Sequence, residues 1–139
     1  MTNVEIFRNY LHESNVYMEE EKEDDGSVFF RTTQNFDNGC SVVAVCSFDT
    51  EDILIDFGIF RVANVSDPLK KEAVHKLMND LNKHYRFAKF TEENGVVSIN
   101  YASYYEPDGL NPKQVVNMLL MLLEAAEESY PKFMKLQWA

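Results

Sequence analysis

Several features are scarce in this 139-residue chain, and each scarcity excludes a class of protein. Five glycines and four prolines are scattered, so no linker or low-complexity segment interrupts the sequence. The longest apolar run is Met118 to Leu123, whereas a membrane-spanning helix needs about 20 apolar residues. The chain has only two cysteines, and they lie six residues apart in what the pattern predicts to be one strand. Cys40 and Cys46 would then be about 20 Å apart, too far for a disulfide, so we expect two reduced core thiols.

Basic residues are also scarce. Thirteen Lys and Arg stand against 23 Asp and Glu, which gives a net charge of −10. A phosphate backbone or an anionic membrane attracts a basic face, so we expect no nucleic-acid or membrane partner. The N-terminus lacks a basic stretch followed by an apolar run, so we expect no secretory signal and a cytoplasmic location.

The remaining composition, 45% hydrophobic and 26% charged, is typical of a globular protein. A chain of this length buries about two thirds of its unfolded surface, enough for a core without disulfides or a structural metal. We therefore expect a single domain over residues 1–139.

Three helices are predicted from capping residues and apolar spacing. Thr2 to Glu5 fits a capping box that begins a first amphipathic helix. Asp67-Pro68 starts the second helix, and Asn111-Pro112 starts the third. Because Tyr130-Pro131 disfavours continuation, the third helix is predicted to end near Ser129.

The strands are predicted from segments rich in Val, Ile and Phe between turn residues. Asn38-Gly39 and Asn94-Gly95 favour antiparallel hairpins, because these residues accept positive φ at low cost. An acidic stretch, residues 19–25, is expected to be a solvated turn. The predicted strands cover residues 15–18, 27–33, 40–48, 53–62, 86–91 and 96–105. The order is therefore α-β-β-β-β-α-β-β-α, an α+β fold with one antiparallel sheet of five to six strands and helices packed on it.

Both faces of the predicted sheet carry apolar residues, which is unusual for a one-sided antiparallel sheet. One row should face the core: Cys40, Val42, Ala44, Cys46 and Phe48, with Ile53, Ile55, Phe57 and Ile59 in the next strand. The opposite face nevertheless contains Val43, Val45, Leu54 and Phe60, joined by Phe29. Such a face needs a cover, which can be a helix of this chain, a second copy or another protein.

The last helix also has more apolar residues than one buried stripe requires. Between Val115 and Leu123 they surround most of its circumference, including Met118 and Met121. Two such excesses in a small domain predict a homodimer. The candidate partner or dimer surface is Phe29, Val43, Val45, Leu54, Phe60, Met118 and Met121.

No pattern of residues predicts catalysis or a cofactor. There is no nucleotide-binding glycine pattern, no nucleophile elbow and no metal-ligand spacing. His75 and His84 are nine residues apart on one predicted helix and point to opposite sides of it, so they cannot share a ligand. Asp56 is the one acid within an apolar strand; it can serve as an acid, a base or a hydrogen-bonding anchor, but facing water is the more common role.

Four segments of the chain resemble the YbjN-like family, whose members are described as sensory-transduction regulators. The closest likeness lies in Asp108 to Val115 and Leu122 to Phe133, with further likeness in Val74 to Asn82 and Arg86 to Phe90. The quoted residues mainly cap and pack, so they identify a fold better than an activity. The family is similar in fold to type III secretion chaperones, which are small acidic α+β homodimers that bind an extended partner segment.

The resemblance implies an interaction module and no catalytic residues. Together with the apolar excess, it predicts a chaperone- or adaptor-like regulator that binds a protein partner, through sheet-edge pairing or through pockets beside the last helix. The alternative is a small-ligand sensor or an enzyme with a pocket between sheet and helices.

Overall fold

The computed structural model describes residues 1–139 and has the predicted α+β architecture. Three helices and six strands follow one another in the predicted order α-β-β-β-β-α-β-β-α, with a 3-10 turn before the second helix. The elements are α1 (Asn3–Glu13), β1 (Glu19–Lys22), β2 (Val28–Asn35), β3 (Ser41–Phe48), β4 (Leu54–Asn64), α2 (Lys71–His84), β5 (Lys89–Glu93), β6 (Val96–Tyr104) and α3 (Pro112–Trp138).

The six strands form one antiparallel sheet in the order β1-β2-β3-β4-β6-β5. Both predicted Asn-Gly turns are present. Asn94 and Gly95 both have positive φ, as a two-residue type I′ hairpin requires. The turn between β2 and β3 differs, because only Gly39 is left-handed and its N–H donates to the carbonyl of Phe36.

The core lies between one face of the sheet, called here the inner face, and all three helices. Every residue of the predicted row from Cys40 to Phe48 is buried, as are Ile55, Phe57 and Ile59. Ile53 precedes β4 and is half-buried. The helices complete this core with Phe7 and Leu11 of α1, Val74 and Leu81 of α2, and Val115, Leu119, Leu122, Ala126 and Phe133 of α3.

The first strand is not where the sequence predicted it. Asn15 adopts a positive φ of 56°, and the N–H of Val16 donates to the carbonyl of Leu11, so these two residues close helix α1 and residues 16–18 connect it to the sheet. The first part of the acidic segment expected to be a turn, residues 19–22, forms β1 instead, and only residues 23–26 form the exposed turn to β2. Arg8 forms two hydrogen bonds with the Glu20 carboxylate, at 2.7 and 2.6 Å, and thereby holds the strand against α1.

Helix α3 does not end near Ser129, as predicted, but continues through Pro131 to Trp138. Proline has no N–H and therefore leaves the carbonyl four residues earlier, that of Glu127, without its helical donor. The side-chain amide of Asn38 donates to this carbonyl at 2.9 Å. A residue in the β2–β3 turn thus supplies the hydrogen bond that the helix lacks.

Candidate interaction surfaces

The five sheet residues of the predicted surface lie together on the face opposite the helices, called here the outer face. Val43 pairs with Phe60 across β3 and β4, and Val45 pairs with Gly58. Phe29 and Leu54 lie on the same side at the other end of these strands, where Leu54 pairs with Tyr104 of β6. The register therefore confirms that these side chains share one face.

No helix of this chain covers the outer face. Phe29, Val43, Val45 and Leu54 are half-buried by their neighbours, and Phe60 is 41% exposed. Since all three helices pack on the inner face, a helix of this chain is excluded as the cover of the outer face. A second copy or another protein remains.

A shallow groove crosses the outer face beside Phe60. A Cβ atom built on Gly58 would lie 2.6 Å from the Phe60 ring, so the ring lies directly over this glycine. The groove has a volume of about 330 Å³, and Val45, Ala102 and Asp56 are among its lining residues. Asp56 is exposed here, which agrees with the expectation that it faces water.

The four central strands of the outer face are close to electrically neutral. Their outward positions carry three charged side chains, Arg31, Asp56 and Arg61, for a sum of +1. The whole chain has a charge of −10. The acidic residues are therefore concentrated elsewhere, and this face lacks the repulsion that most of the surface would give a like-charged molecule.

The two predicted helix residues lie on the other side of the molecule. Met118 is half-buried and Met121 is 46% exposed on α3, which packs on the inner face of the sheet. The structure therefore brings together five of the seven predicted surface residues and separates them from these two. The prediction did not distinguish the two surfaces, because residue spacing alone does not show which side of the sheet a helix occupies.

Met121 lines a small apolar pocket of about 180 Å³, called here the helix pocket. The other walls come mainly from the segment between α2 and β5, including Tyr85, Phe87 and Ala88. Phe87 is partly exposed, and its ring meets Tyr101 edge-on at 5.5 Å between centroids. This pocket could not be predicted from the sequence, because the pattern of residues 86–91 predicts a strand, whereas β5 begins at Lys89.

Both edges of the sheet disfavour pairing with an added strand. At the β5 edge, Asn82 accepts a hydrogen bond from the Phe90 N–H at 2.6 Å and donates to its carbonyl at 3.2 Å. These bonds occupy backbone groups that an incoming strand would need. The other edge, β1, has the sequence Glu-Glu-Glu-Lys and is exposed, and charged side chains of this kind protect an edge strand.

The ionisable groups are mostly explained by packing. Burial raises the pKa of the Cys40 thiol to about 11, with a further contribution from Glu127, and burial alone raises the pKa of Cys46. Both cysteines are free and buried, as predicted. His75 lies 2.6 Å from the Glu92 carboxylate, and His84 is exposed at the other end of α2. The structure contains no group of three or more His, Cys, Asp or Glu side chains that could hold a metal ion.

None of the three helices combines the length and apolarity that a membrane crossing needs. In a comparison with protein families, residues 3–135 match the family described as "YbjN: putative bacterial sensory transduction regulator". The chain belongs to the YbjN family, which confirms the resemblance found in the sequence. No curated protein and no solved structure matches the chain. The likeness to type III secretion chaperones therefore stays a prediction.

Proposed function

We propose that this protein is a non-catalytic, adaptor-like regulator that binds other polypeptides and forms a homodimer through the outer face of its sheet. The observation that carries the proposal is the uncovered outer face itself, with Val43, Val45 and Phe60 on central strands and no helix of the chain over them. Membership of a family of regulators agrees with this function. We further propose a single domain in the cytoplasm.

The dimensions of the outer face suit a stable dimer. Six strands spaced about 4.8 Å apart, with an average length between seven and eight residues at 3.3 Å per residue, present roughly 700 Å². A standard protein–protein interface buries about 800 Å² on each partner. The face is therefore large enough to form most of such an interface with a second copy.

The charges of the outer face also suit a second copy. In a two-fold dimer the same patch meets itself, so Arg31 of one protomer can approach Asp56 of the other. The near-neutral centre avoids the repulsion expected between two molecules of charge −10.

A partner segment would then bind on the opposite side, in the helix pocket. A cavity of about 150 Å³ is known to hold a benzene ring, so 180 Å³ accommodates one apolar side chain of the partner. Leu120, exposed beside Met121, extends the apolar area around the pocket. This placement favours side-chain capture beside the last helix over sheet-edge pairing, since both edges are protected.

The test compares affinity capture from a lysate of the native host by the wild type, Met121→Asp and Phe60→Asp. We expect Met121→Asp to lose the captured partner and Phe60→Asp to lose only self-association. Asn117→Asp adds the same charge at another exposed position of α3 and should behave as wild type. Unchanged capture by Met121→Asp would show that the helix pocket is not the partner site.

A further inference from the structure

A second cleft opens where strands β3 and β4 separate, and it points to a small ligand independent of the function proposed above. We propose that this cleft binds a small organic anion, with its oxyanion head against Arg61 and its apolar body on Ala63, Val96 and Met134. The cleft has a volume of about 560 Å³, within the range of roughly 300–1,000 Å³ that ligand pockets occupy.

The cleft is produced by an irregularity in β4. Strand β3 pairs with β2 as far as Ser41, but its pairing with β4 ends at Val43 opposite Phe60. The register between β4 and β6 slips between Ile59 and Ala63. The first residues of β3 therefore separate from the last residues of β4, and Tyr130 and Met134 of α3 also line the gap.

Arg61 lies at the centre of this irregularity with a left-handed backbone, φ 64°. A residue with a side chain adopts this conformation at a cost in free energy, and residues held in this way cluster at ligand and active sites. A β-bulge can also change the direction in which a side chain points. Here the bulge places Arg61 among the residues that line the cleft, and its N–H donates to the Ser98 hydroxyl at 3.4 Å instead of to the sheet.

Three polar side chains around the cleft have no partner within the chain. Arg61, Asn64 and Tyr130 make no side-chain hydrogen bond, and Arg61 forms none of the four ion pairs although the chain has 23 acidic residues. By contrast, Ser41 is already bonded to Asn35 at 2.6 Å. A guanidinium, an amide and a phenol thus converge on one cleft with their hydrogen-bonding capacity unused.

These groups define the ligand class. The planar guanidinium donates two parallel hydrogen bonds to a carboxylate or a phosphate, and the amide and phenol can donate to the same oxyanion. Apolar side chains form much of the remaining wall, so a bare inorganic ion would leave them without contact. Both a carboxylate and a phosphate monoester with a short hydrocarbon body satisfy this description.

The test is a titration followed by NMR of the methionine methyl groups, because Met134 lines the cleft whereas Met118 and Met121 lie elsewhere on α3. The probes are sodium hexanoate and hexyl phosphate, with sodium chloride and inorganic phosphate at the same ionic strength as controls. We expect saturable movement of the Met134 signal, assigned with Met134→Leu, with one or both hexyl probes. The pair distinguishes a carboxylate from a phosphate head.

Variants of the lining residues test whether the hexyl probes bind in this cleft as proposed. Arg61→Gln should weaken the binding at least tenfold, and Tyr130→Phe should weaken it less. Arg86→Gln removes another exposed arginine without an ion pair and should bind as wild type. Leu54→Asp, at the opposite end of the outer face from Arg61, should leave the Met134 response intact, which separates this site from the proposed dimer. Binding of inorganic ions alone, no movement of Met134, or full affinity in Arg61→Gln would overturn the proposal.

Discussion

At the residue scale, the contact between Asn38 and Glu127 explains how a proline sits inside α3. Asn38 makes two bonds at once, since its carbonyl oxygen accepts from the Cys40 N–H at 3.0 Å while its amide donates to the Glu127 carbonyl. Tyr130 adds to the same junction by placing its ring against Gly39. The β2–β3 turn and the C-terminal half of the helix are therefore fixed to each other.

This junction predicts a coupled effect of two substitutions. Asn38→Ala should lower the free energy of unfolding by about 2 kcal/mol, because two backbone groups lose their partners. In a Pro131→Ala background the new Ala N–H can donate to Glu127, so Asn38→Ala should cost about 1 kcal/mol less. Urea unfolding of the four proteins measures this difference. Asn38→Asp, which keeps the acceptor for Cys40, should fall between wild type and Asn38→Ala, and strictly additive losses would contradict the account.

Glu92 predicts a pH dependence at the same scale. The Gly95 N–H, at 2.7 Å, and then His75 hold the pKa of this carboxyl below its usual value. A lowered native pKa stabilises the fold above the unfolded-state pKa of about 4.5, and this contribution is lost as the pH falls through the native pKa. The stability difference between wild type and Glu92→Gln should therefore shrink below about pH 5 in urea unfolding. Glu93→Gln, at the exposed neighbouring position, should show no such trend; a pH-independent difference for Glu92→Gln would refute the assignment.

At the scale of elements, the features that could be predicted are those that depend on residues close together in the sequence. The alternation from Cys40 to Phe48 correctly predicted the inner row, because successive strand residues point to opposite faces. The end of α3 was predicted wrongly because the donor that tolerates Pro131 comes from Asn38, far away along the chain. The cleft at Arg61 was missed for a similar reason, since a bulge leaves no pattern in the spacing of β4.

The closed edge at β5 predicts the effect of removing Asn82. Asn82→Ala should lower the free energy of unfolding by about 2 kcal/mol, because both backbone groups of Phe90 lose their partner. The Phe90 amide should then exchange with deuterium much faster, which NMR measures directly. Asn79→Ala, an exposed asparagine on the same helix, should change neither quantity. Unaltered protection of Phe90 in Asn82→Ala would show that the side chain does not close this edge.

At the scale of the whole molecule, the chain presents two apolar surfaces on opposite sides of one core. The outer face is broad and nearly neutral, whereas the helix pocket beside Met121 is small and enclosed by Tyr85 and Phe87. Their separation means that a dimer formed through the sheet leaves the pocket free. The sequence could predict that apolar residues were in excess, but only the fold divides them into two surfaces with different shapes.

The central claim, self-association through the outer face, is tested most directly by light scattering on a sizing column over a hundredfold dilution series. We expect a mass of twice 16.1 kDa for wild type and for Asn117→Asp, and the mass of one chain for Phe60→Asp. A folded wild type that has the mass of a single chain at every concentration would contradict the claim. So would a Phe60→Asp variant that remains dimeric.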